Sequence, residues 1–362
     1  MKIPDIKNED LIIQPINTAQ TIPASWYTNK NIFEFELTHI INNNWQYVGH
    51  LSQIPNIGDY FLFEISNKPI LVVKNDEGEV RAFYNVCRHR GGPLAFDNGN
   101  CKLFQCKYHG WTYKLNGSLH KTPQFGPVED FNKDEFGLIP VNLQVWENLI
   151  FVSILNPADS INKILNGVKD RIIPNDLSSK KFYKRVKYHV NCNWKVYVDN
   201  YLEGYHLAFV HPSLSKLLNS AEYKTETSEF YSLQYSPLKD DTNFYGEGNA
   251  FYYFVFPNIM LNILPGRLQV NLIQPIDNTK TLVIFDYFYD EIHSPVNVKK
   301  IEEDLKLSDE IQLEDIMICE KVQKGLQSGV YDRGRISVQS EQGVYHFQSL
   351  LKKKIKDNFD EN

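Results

Sequence analysis

Cys87-Arg88-His89 and Cys106-Lys107-Tyr108-His109 each put one thiol and one imidazole on a short segment, with the overall spacing C-x-H-x16-C-x2-H. Two thiolates and two neutral imidazoles can hold a [2Fe–2S] cluster of the Rieske type, with the Cys pair on one iron and the His pair on the other. That mixed set raises the potential above that of an all-Cys cluster. The same four residues could instead close a structural Cys2His2 zinc site. Zinc fingers normally run Cys-Cys and then His-His, whereas each segment here carries one of each, so the order favours iron–sulfur. Both segments carry glycine, Gly91-Gly92 in the first and Gly110 in the second. Glycine lets backbone N–H groups approach bridging sulfides closely. The indole of Trp111, beside the second segment, could exclude water.

A second group of ligand-type residues lies downstream. His206 and His211 sit where a helix begun near Asn193 should end, because Pro212 biases His211 away from helical geometry. Five residues along a regular helix do not bring two side chains together, but unwinding after His206 would. A distant helix, Val296–Leu326, has an apolar stripe at Ile311, Asp315, Cys319, Val322 and Leu326 in which Asp315 is the lone charge. Glu314 and Glu310 fall on the opposite, polar face with Met317 and Lys321. A core-facing carboxylate must be paired or bind metal. One outcome is a salt bridge to an Arg or His. The other is two His and one carboxylate on one face of Fe(II), which leaves positions open for O2 and substrate. With a redox cluster upstream, the second is the better reading.

The elements that must position these residues change character along the chain. Residues 1–43 are polar and irregular with one plausible helix, and form an extension packing on the body. From Trp45 to Asn156-Pro157 the pattern is one of short strands and turns, so that both Cys–His segments hang off hairpins of a small antiparallel sheet. Beyond it come a helix over Ser160–Arg171, a strand over Lys181–Val190 and the helix from Asn193 to His206. Aromatic strands follow at Phe251–Phe256, Leu268–Ile273 and Thr281–Tyr289, and then the long helix. The fold class expected is α+β: a small antiparallel β domain over 44–155, and a domain over 156–362 of one antiparallel sheet covered by helices.

Composition narrows the function classes. A net charge of −6 over 362 residues gives no basic footprint for nucleic acid. No apolar run approaches the roughly 20 residues that span a bilayer, and the start lacks the apolar stretch of a signal peptide. Five cysteines are too few for a disulfide framework; Cys101, Cys192 and Cys319 read as buried thiols in a reducing, cytoplasmic compartment. No Gly-rich loop follows a strand to bind a dinucleotide.

From Trp45 to about Leu351 the chain resembles the α subunits of Rieske non-haem iron oxygenases. The residues that carry the likeness are Cys87-x-His89 and Cys106-x2-His109, then Asn193-Trp194-Lys195, Asn200-Tyr201-Leu202-Glu203-x-Tyr205-His206-x4-His211-Pro212 and Glu314-Asp315-x3-Cys319-Glu320. It looks most like the branch acting on quaternary ammonium compounds: choline, glycine betaine and carnitine monooxygenases. The resemblance implies that His206, His211 and Asp315 hold a mononuclear iron. Glu203 falls where the family has a carboxylate bridging one subunit's cluster to its neighbour's iron, with Asp199, one turn earlier, as the fallback. It implies O2 and a small molecule as substrates and a flavin and iron–sulfur reductase drawing on NAD(P)H as electron source. It also implies a head-to-tail homotrimer, because the two centres of one chain would lie too far apart for transfer.

A trimethylammonium group needs an aromatic cage, for which Tyr205, Phe209, Tyr253 and Phe254 are the expected linings. Arg267 or Arg335 could meet a substrate carboxylate. Two other readings stand beside this one: an oxygenase that hydroxylates or O-demethylates an aromatic substrate, and an electron carrier that keeps only the cluster.

Overall fold

The computed structural model of the protein describes residues 6–219, 222–239 and 245–360. The chain divides into two compact units, Asn42–Ile161 and a second made of Met1–Ile41 with Asn162–Asn362.

The first unit is all β. Its strands are β1 (Gln46–His50), β2 (Asp59–Ile65), β3 (Lys68–Lys74), β4 (Val80–Tyr84), β5 (Gly99–Asn100), β6 (Phe104–Gln105), β7 (Thr112–Tyr113), β8 (Leu119–Lys121), β9 (Pro140–Trp146) and β10 (Leu149–Ser153). Seven form a sheet in the order β1-β10-β9-β4-β3-β2-β5, and β6-β7-β8 form a separate small one. Every pairing is antiparallel. The β9–β10 turn places Glu147 and Asn148 at positive φ, the left-handed pair that a two-residue hairpin needs to match strand twist. The Cys106 segment is the β6–β7 hairpin loop. The Cys87 segment is not a hairpin loop, contrary to the expectation: it leaves β4 for β5, which do not pair with each other. Asn85 holds it instead. Its carboxamide oxygen accepts from the N–H groups of Leu94 and Ala95, and its nitrogen donates to the Ala95 carbonyl.

The second unit is one antiparallel sheet with helices. Its helices are α1 (Ala24–Thr28), α2 (Lys30–Glu36), α3 (Ile161–Ile164), α4 (Val168–Arg171), α5 (Trp194–Tyr201), α6 (Leu207–Val210), α7 (Pro212–Leu217), α8 (Pro295–Gln327) and α9 (Gln342–Asp360). Strands β11 (Lys181–Val190), β12 (Lys224–Thr227), β13 (Tyr231–Pro237), β14 (Asn249–Val255), β15 (Ile259–Leu264), β16 (Arg267–Asp277) and β17 (Lys280–Tyr289) run in the order β11-β17-β16-β15-β14-β13-β12. Helix α5 packs on α8 and β16, and α9 on β12 and β13.

Three expectations change here. Residues before Trp45 hold two α-helices, α1 and α2, rather than one, and Trp26, Ile32 and Phe35 are buried in the same core as Trp194 and Phe347. The helix over Ser160–Arg171 is two short pieces. The helix from Asn193 ends at Tyr201, not at His206, because the Gln234 amide donates to the Tyr201 carbonyl and Gly204 packs against the Tyr223 ring. A Cβ at Gly204 would stand 2.8 Å from that ring, so only glycine lets the chain pass there. Among the described residues no helix is long and apolar enough to cross a membrane.

Candidate metal centres and substrate cavity

The two Cys–His segments fold into matching loops. The Cys87 N–H donates to Gly92 O and the Gly91 N–H to Cys87 O; the Cys106 N–H donates to Trp111 O and the Gly110 N–H to Cys106 O. Each loop thus closes on its Cys by the same two bonds, and each turns through a glycine at positive φ, 72° at Gly91 and 74° at Gly110. The loops also meet. A Cβ at Gly92 would stand 3.0 Å from the Cys106 sulfur, so only glycine lets that sulfur in.

Cys87 and Cys106 are buried, neither forms a disulfide, and His109 is exposed. The His89 and His109 rings lie 4.7 Å apart, and Trp111 stacks on His89 at 4.8 Å, nearly parallel. Burial, then the neighbouring His109 and Arg90 charges, push His89 towards its neutral form, the form that binds iron. Burial raises the Cys87 thiol, opposed by the Tyr113 hydroxyl 3.2 Å away. Among the described residues the buried Nδ1 of His89 has no hydrogen-bond partner. Two buried thiols, two imidazoles and an orphaned ring nitrogen fit a cluster whose thiolate end is inside and whose histidine end reaches the surface.

The second centre forms where α5 gives way to α6 and α7, against α8. After Tyr201 the chain turns on the Glu203 carboxylate, which accepts from the N–H groups of Tyr205 and His206. His211 then leaves α6 at φ −120° and ψ 74°, and Pro212 starts α7. This brings the two rings to 5.0 Å. Ligand atoms of His206, His211 and Asp315 all lie within 4.8 Å of one another. The Nε2 of His211 is 3.0 Å from Asp315 Oδ1, and that of His206 3.9 Å.

Both rings are aimed by carboxylates. His206 Nδ1 lies 2.6 Å from Glu203 and His211 Nδ1 2.6 Å from Glu314. A carboxylate behind each ring directs its Nε2 at the third ligand, the arrangement typical of a metal-binding His. Asn200 Nδ2 donates to Asp315 Oδ1 at 2.6 Å. Glu314 therefore does not sit on an outer polar face, whereas Glu310 is exposed as expected and accepts from Ser213 at the start of α7. Helix periodicity puts Glu314 about 100° from Asp315, and the α6–α7 turn wraps far enough round α8 to meet both.

Asp199 is not beside the iron ligands. Its carboxyl accepts from the Tyr27 hydroxyl and the Gln348 amide, and burial pushes its pKa up to about 7.

A cavity of about 120 Å³ opens from His206, His211 and Asp315 between the sheet and α8. Its aromatic lining is Tyr197, Tyr201, Tyr223, Tyr245, Tyr252 and Phe285. None of the four residues expected there lines it. Tyr205 and Phe209 are exposed, at 58% and 80%, on the outside of the α6 turn. Tyr253 faces the other side of β14 against Tyr231, and Phe254, on the Tyr252 side, packs further along against Phe347. Strand alternation explains the near miss: one residue's shift along β14 exchanges Tyr253 for Tyr252. Arg267 lines the cavity, whereas Arg335 is exposed and donates to the Asn17 carbonyl. Cys192 and Cys319 are buried as expected, but Cys101 only in part.

The sheet, the triad of ligand-type side chains and the paired Cys–His loops define a class, the Rieske non-haem iron oxygenases, and the chain belongs to the family of their α subunits. Residues 44–132 match the Rieske [2Fe-2S] domain and residues 177–357 the ring hydroxylating alpha subunit catalytic domain. The chain is 34% identical to the chloroplastic choline monooxygenase of Arabidopsis thaliana, over 94% of this chain and 84% of the relative. It is 33% identical to the carnitine monooxygenase oxygenase subunit of Escherichia coli K12, over 94% and 95%. A solved quaternary ammonium Rieske monooxygenase, described for carnitine oxidation by gut microbiota and inter-subunit electron transfer, superposes with a TM-score of 0.89. It is 27% identical and covers 96% of this chain and 99% of that one. As a member of this family the protein is an oxidoreductase that uses a Rieske [2Fe–2S] cluster and a mononuclear iron.

Sequence reasoning missed Glu314, Asn200 and Asp304. Asp304 is buried on α8 three turns before Asp315 and pairs with Arg267 at 2.7 Å. The spacing of eleven residues was a usable signal, since it returns to nearly the same helix face.

Proposed function

We propose that this chain is the terminal oxygenase that hydroxylates a small trimethylammonium compound, using O2 and electrons from a separate flavin and iron–sulfur reductase fed by NAD(P)H. Cys87, His89, Cys106 and His109 hold the cluster; His206, His211 and Asp315 hold the iron. Iron held by two imidazoles and one carboxylate supplies O2 activation at its remaining positions.

The observation that carries this reading is the cavity that begins at the three ligand-type side chains and is walled by tyrosines. Tyrosine faces attract a cation through the ring quadrupole, by ~2 kcal/mol when desolvated. A quaternary ammonium group offers no hydrogen to bond, so an aromatic wall is the chemistry suited to it. Leu207, Leu214 and Leu264 add apolar surface to the lining. Glu203 and Glu314 hold the imidazoles in one tautomer, and Asn200 holds Asp315.

Glu203 and His206 also line a second, outer cleft together with Asp199, Ile318 and Glu341. The carboxylate therefore reaches from an iron-binding ring towards the surface, where a neighbouring subunit's cluster could be met in a head-to-tail homotrimer. Tyr27 and Gln348 occupy Asp199, which favours Glu203 over Asp199 for that link. With Cys87 and Cys106 given to the cluster, the three remaining unpaired cysteines, Cys101, Cys192 and Cys319, fit a cytoplasmic, reducing compartment.

Oxygen uptake by the enzyme with its reductase, across choline, glycine betaine, L-carnitine and a neutral aromatic panel, tests the reading. Trimethylammonium compounds are expected to drive uptake. Uptake driven by neutral aromatics alone would replace this substrate class with a ring-hydroxylating one. Three irons per chain are expected, and two would mark an electron carrier.

A further inference from the structure

Along the cavity wall, β16 turns a row of polar side chains inward: Arg267, Gln269 and Asn271, all buried, with Arg267 at the Asp304 end of α8. They are joined head to tail. Arg267 Nη2 donates to the Gln269 carboxamide oxygen, and Gln269 Nε2 donates to Asn271 Oδ1 at 2.7 Å. A guanidinium can only donate, so it fixes the orientation of both amides. The last N–H2 in the row, on Asn271, is thereby presented as a donor on the cavity wall.

Arg267 itself is incompletely used. Its Nε donates to Asp304 Oδ2 at 2.7 Å, and Asp304 is further satisfied by the hydroxyls of Tyr245 and Tyr289. Asp304 thus engages the guanidinium by one edge only. Among the described residues Nη1 of Arg267 has no protein partner, although the residue is only 5% exposed. A buried guanidinium with a spare N–H edge on a ligand cavity is a binding group for an acceptor, and a carboxylate fits its planar fork best. The other space that Arg267 borders is an outer cleft lined by Asp290, Glu291 and Lys300, a net negative rim that suits an anion less well. The inner side is the side left for it.

Helix α8 sets the distance. Asp315 beside the histidines and Asp304 beside Arg267 are eleven residues apart, about 16 Å along the axis. The cavity is therefore long, with its metal-binding end and its guanidinium at opposite ends of the same helix face.

We infer that Arg267 is a specificity-determining residue that binds a carboxylate, so that the substrate is a trimethylammonium carboxylate, a zwitterion, rather than an amino alcohol such as choline. This rests on the trimethylammonium reading above and narrows it. Asp304 serves as the positioning residue: it keeps Arg267 charged in a buried wall and turns its free edge to the ligand.

Paired ligands test it. Binding of γ-butyrobetaine and of its methyl ester to the holoenzyme is measured by calorimetry, with choline alongside. The ester keeps the trimethylammonium group and the chain and removes only the negative charge. The carboxylate is expected to bind at least tenfold more tightly than the ester, roughly the worth of a charge-assisted hydrogen bond. Arg267→Gln with Asp304→Asn, which keeps the wall neutral, should bring the two ligands within about threefold by weakening only the carboxylate. An ester or choline bound by the wild type as tightly as the carboxylate overturns the role of Arg267 and leaves the trimethylammonium reading standing. Failure of all three ligands to bind, with a neutral aromatic binding instead, overturns both. The wild-type comparison decides the matter even if the double variant does not fold.

Discussion

Nδ1 of His211 lies 2.6 Å from Oε2 of Glu314, while Nε2 of the same ring lies 3.0 Å from Oδ1 of Asp315, the next residue on α8. One imidazole is held between consecutive carboxylates of one helix, one to orient it and one to share its metal.

Their loss should therefore differ in kind. Asp315→Ala is expected to lose one of three irons per chain while the cluster spectrum survives. Glu314→Ala should keep the site but release iron ~10–100-fold more readily, the usual cost of removing a partner behind a metal-binding His. Iron counting after dialysis against a graded chelator separates the two. Wild-type retention in Glu314→Ala would mean that the hydrogen bond does not orient the ring.

The Arg88 N–H donates to the Tyr113 hydroxyl at 3.0 Å, so the hydroxyl hydrogen is left to point at the Cys87 sulfur, 3.2 Å away. A donor to a cluster sulfur favours the reduced, more negative state. Tyr113→Phe should lower the midpoint potential by ~60 mV, the electrochemical equivalent of one such bond for a one-electron couple. Redox titration followed by paramagnetic resonance measures it. An unchanged potential would show that the hydroxyl does not reach the bound cluster.

Glu203 lines both the inner cavity and the outer cleft and holds His206 by ring and backbone. Glu203→Gln and Glu203→Ala, loaded under ferrous excess, should keep full iron and a reducible cluster. Oxygen-dependent reoxidation of the cluster with substrate should slow greatly, and by far more in Ala. Stopped-flow mixing of pre-reduced protein reads it; an Ala variant reoxidising at the wild-type rate would remove the coupling role.

His50, at the end of β1, is buried and its Nδ1 accepts from the Ser52 N–H at 3.0 Å. Burial lowers its pKa to about 4. A His whose folded pKa is depressed contributes stability above its unfolded value, near 6.5, and loses it as pH falls through the folded value. The stretch between pH 6.5 and 4 should then cost the cluster unit up to about 3 kcal/mol. His50→Asn, which keeps an acceptor for Ser52, should flatten that slope. Urea unfolding of the full chain at stepped pH, followed by cluster absorbance, tests it, and parallel slopes would rule His50 out.

The chemistry was legible in the sequence because it is written locally. Cys87, His89, Cys106 and His109 announce themselves by type and order, and the two loops need only glycine to close. Helix α8 was legible within a residue at each end, because its periodicity is long, and Asp315 stood out against its apolar neighbours. What the sequence could not determine was rotation and range. Glu314 lies one residue from a predicted ligand, yet its partner is 103 residues away on a turn whose path depends on Tyr223 and Gln234. Tyr252 and Tyr253 are equally aromatic, and only the register of β14 against β13 and β15 decides which one faces the cavity. Nothing local marks Asp304; only the sheet, by putting Arg267 beside it, gives it a role. Local pattern fixes which residues can act. Which of them meet is decided by long-range packing, where a one-residue shift turns a side chain to the opposite face.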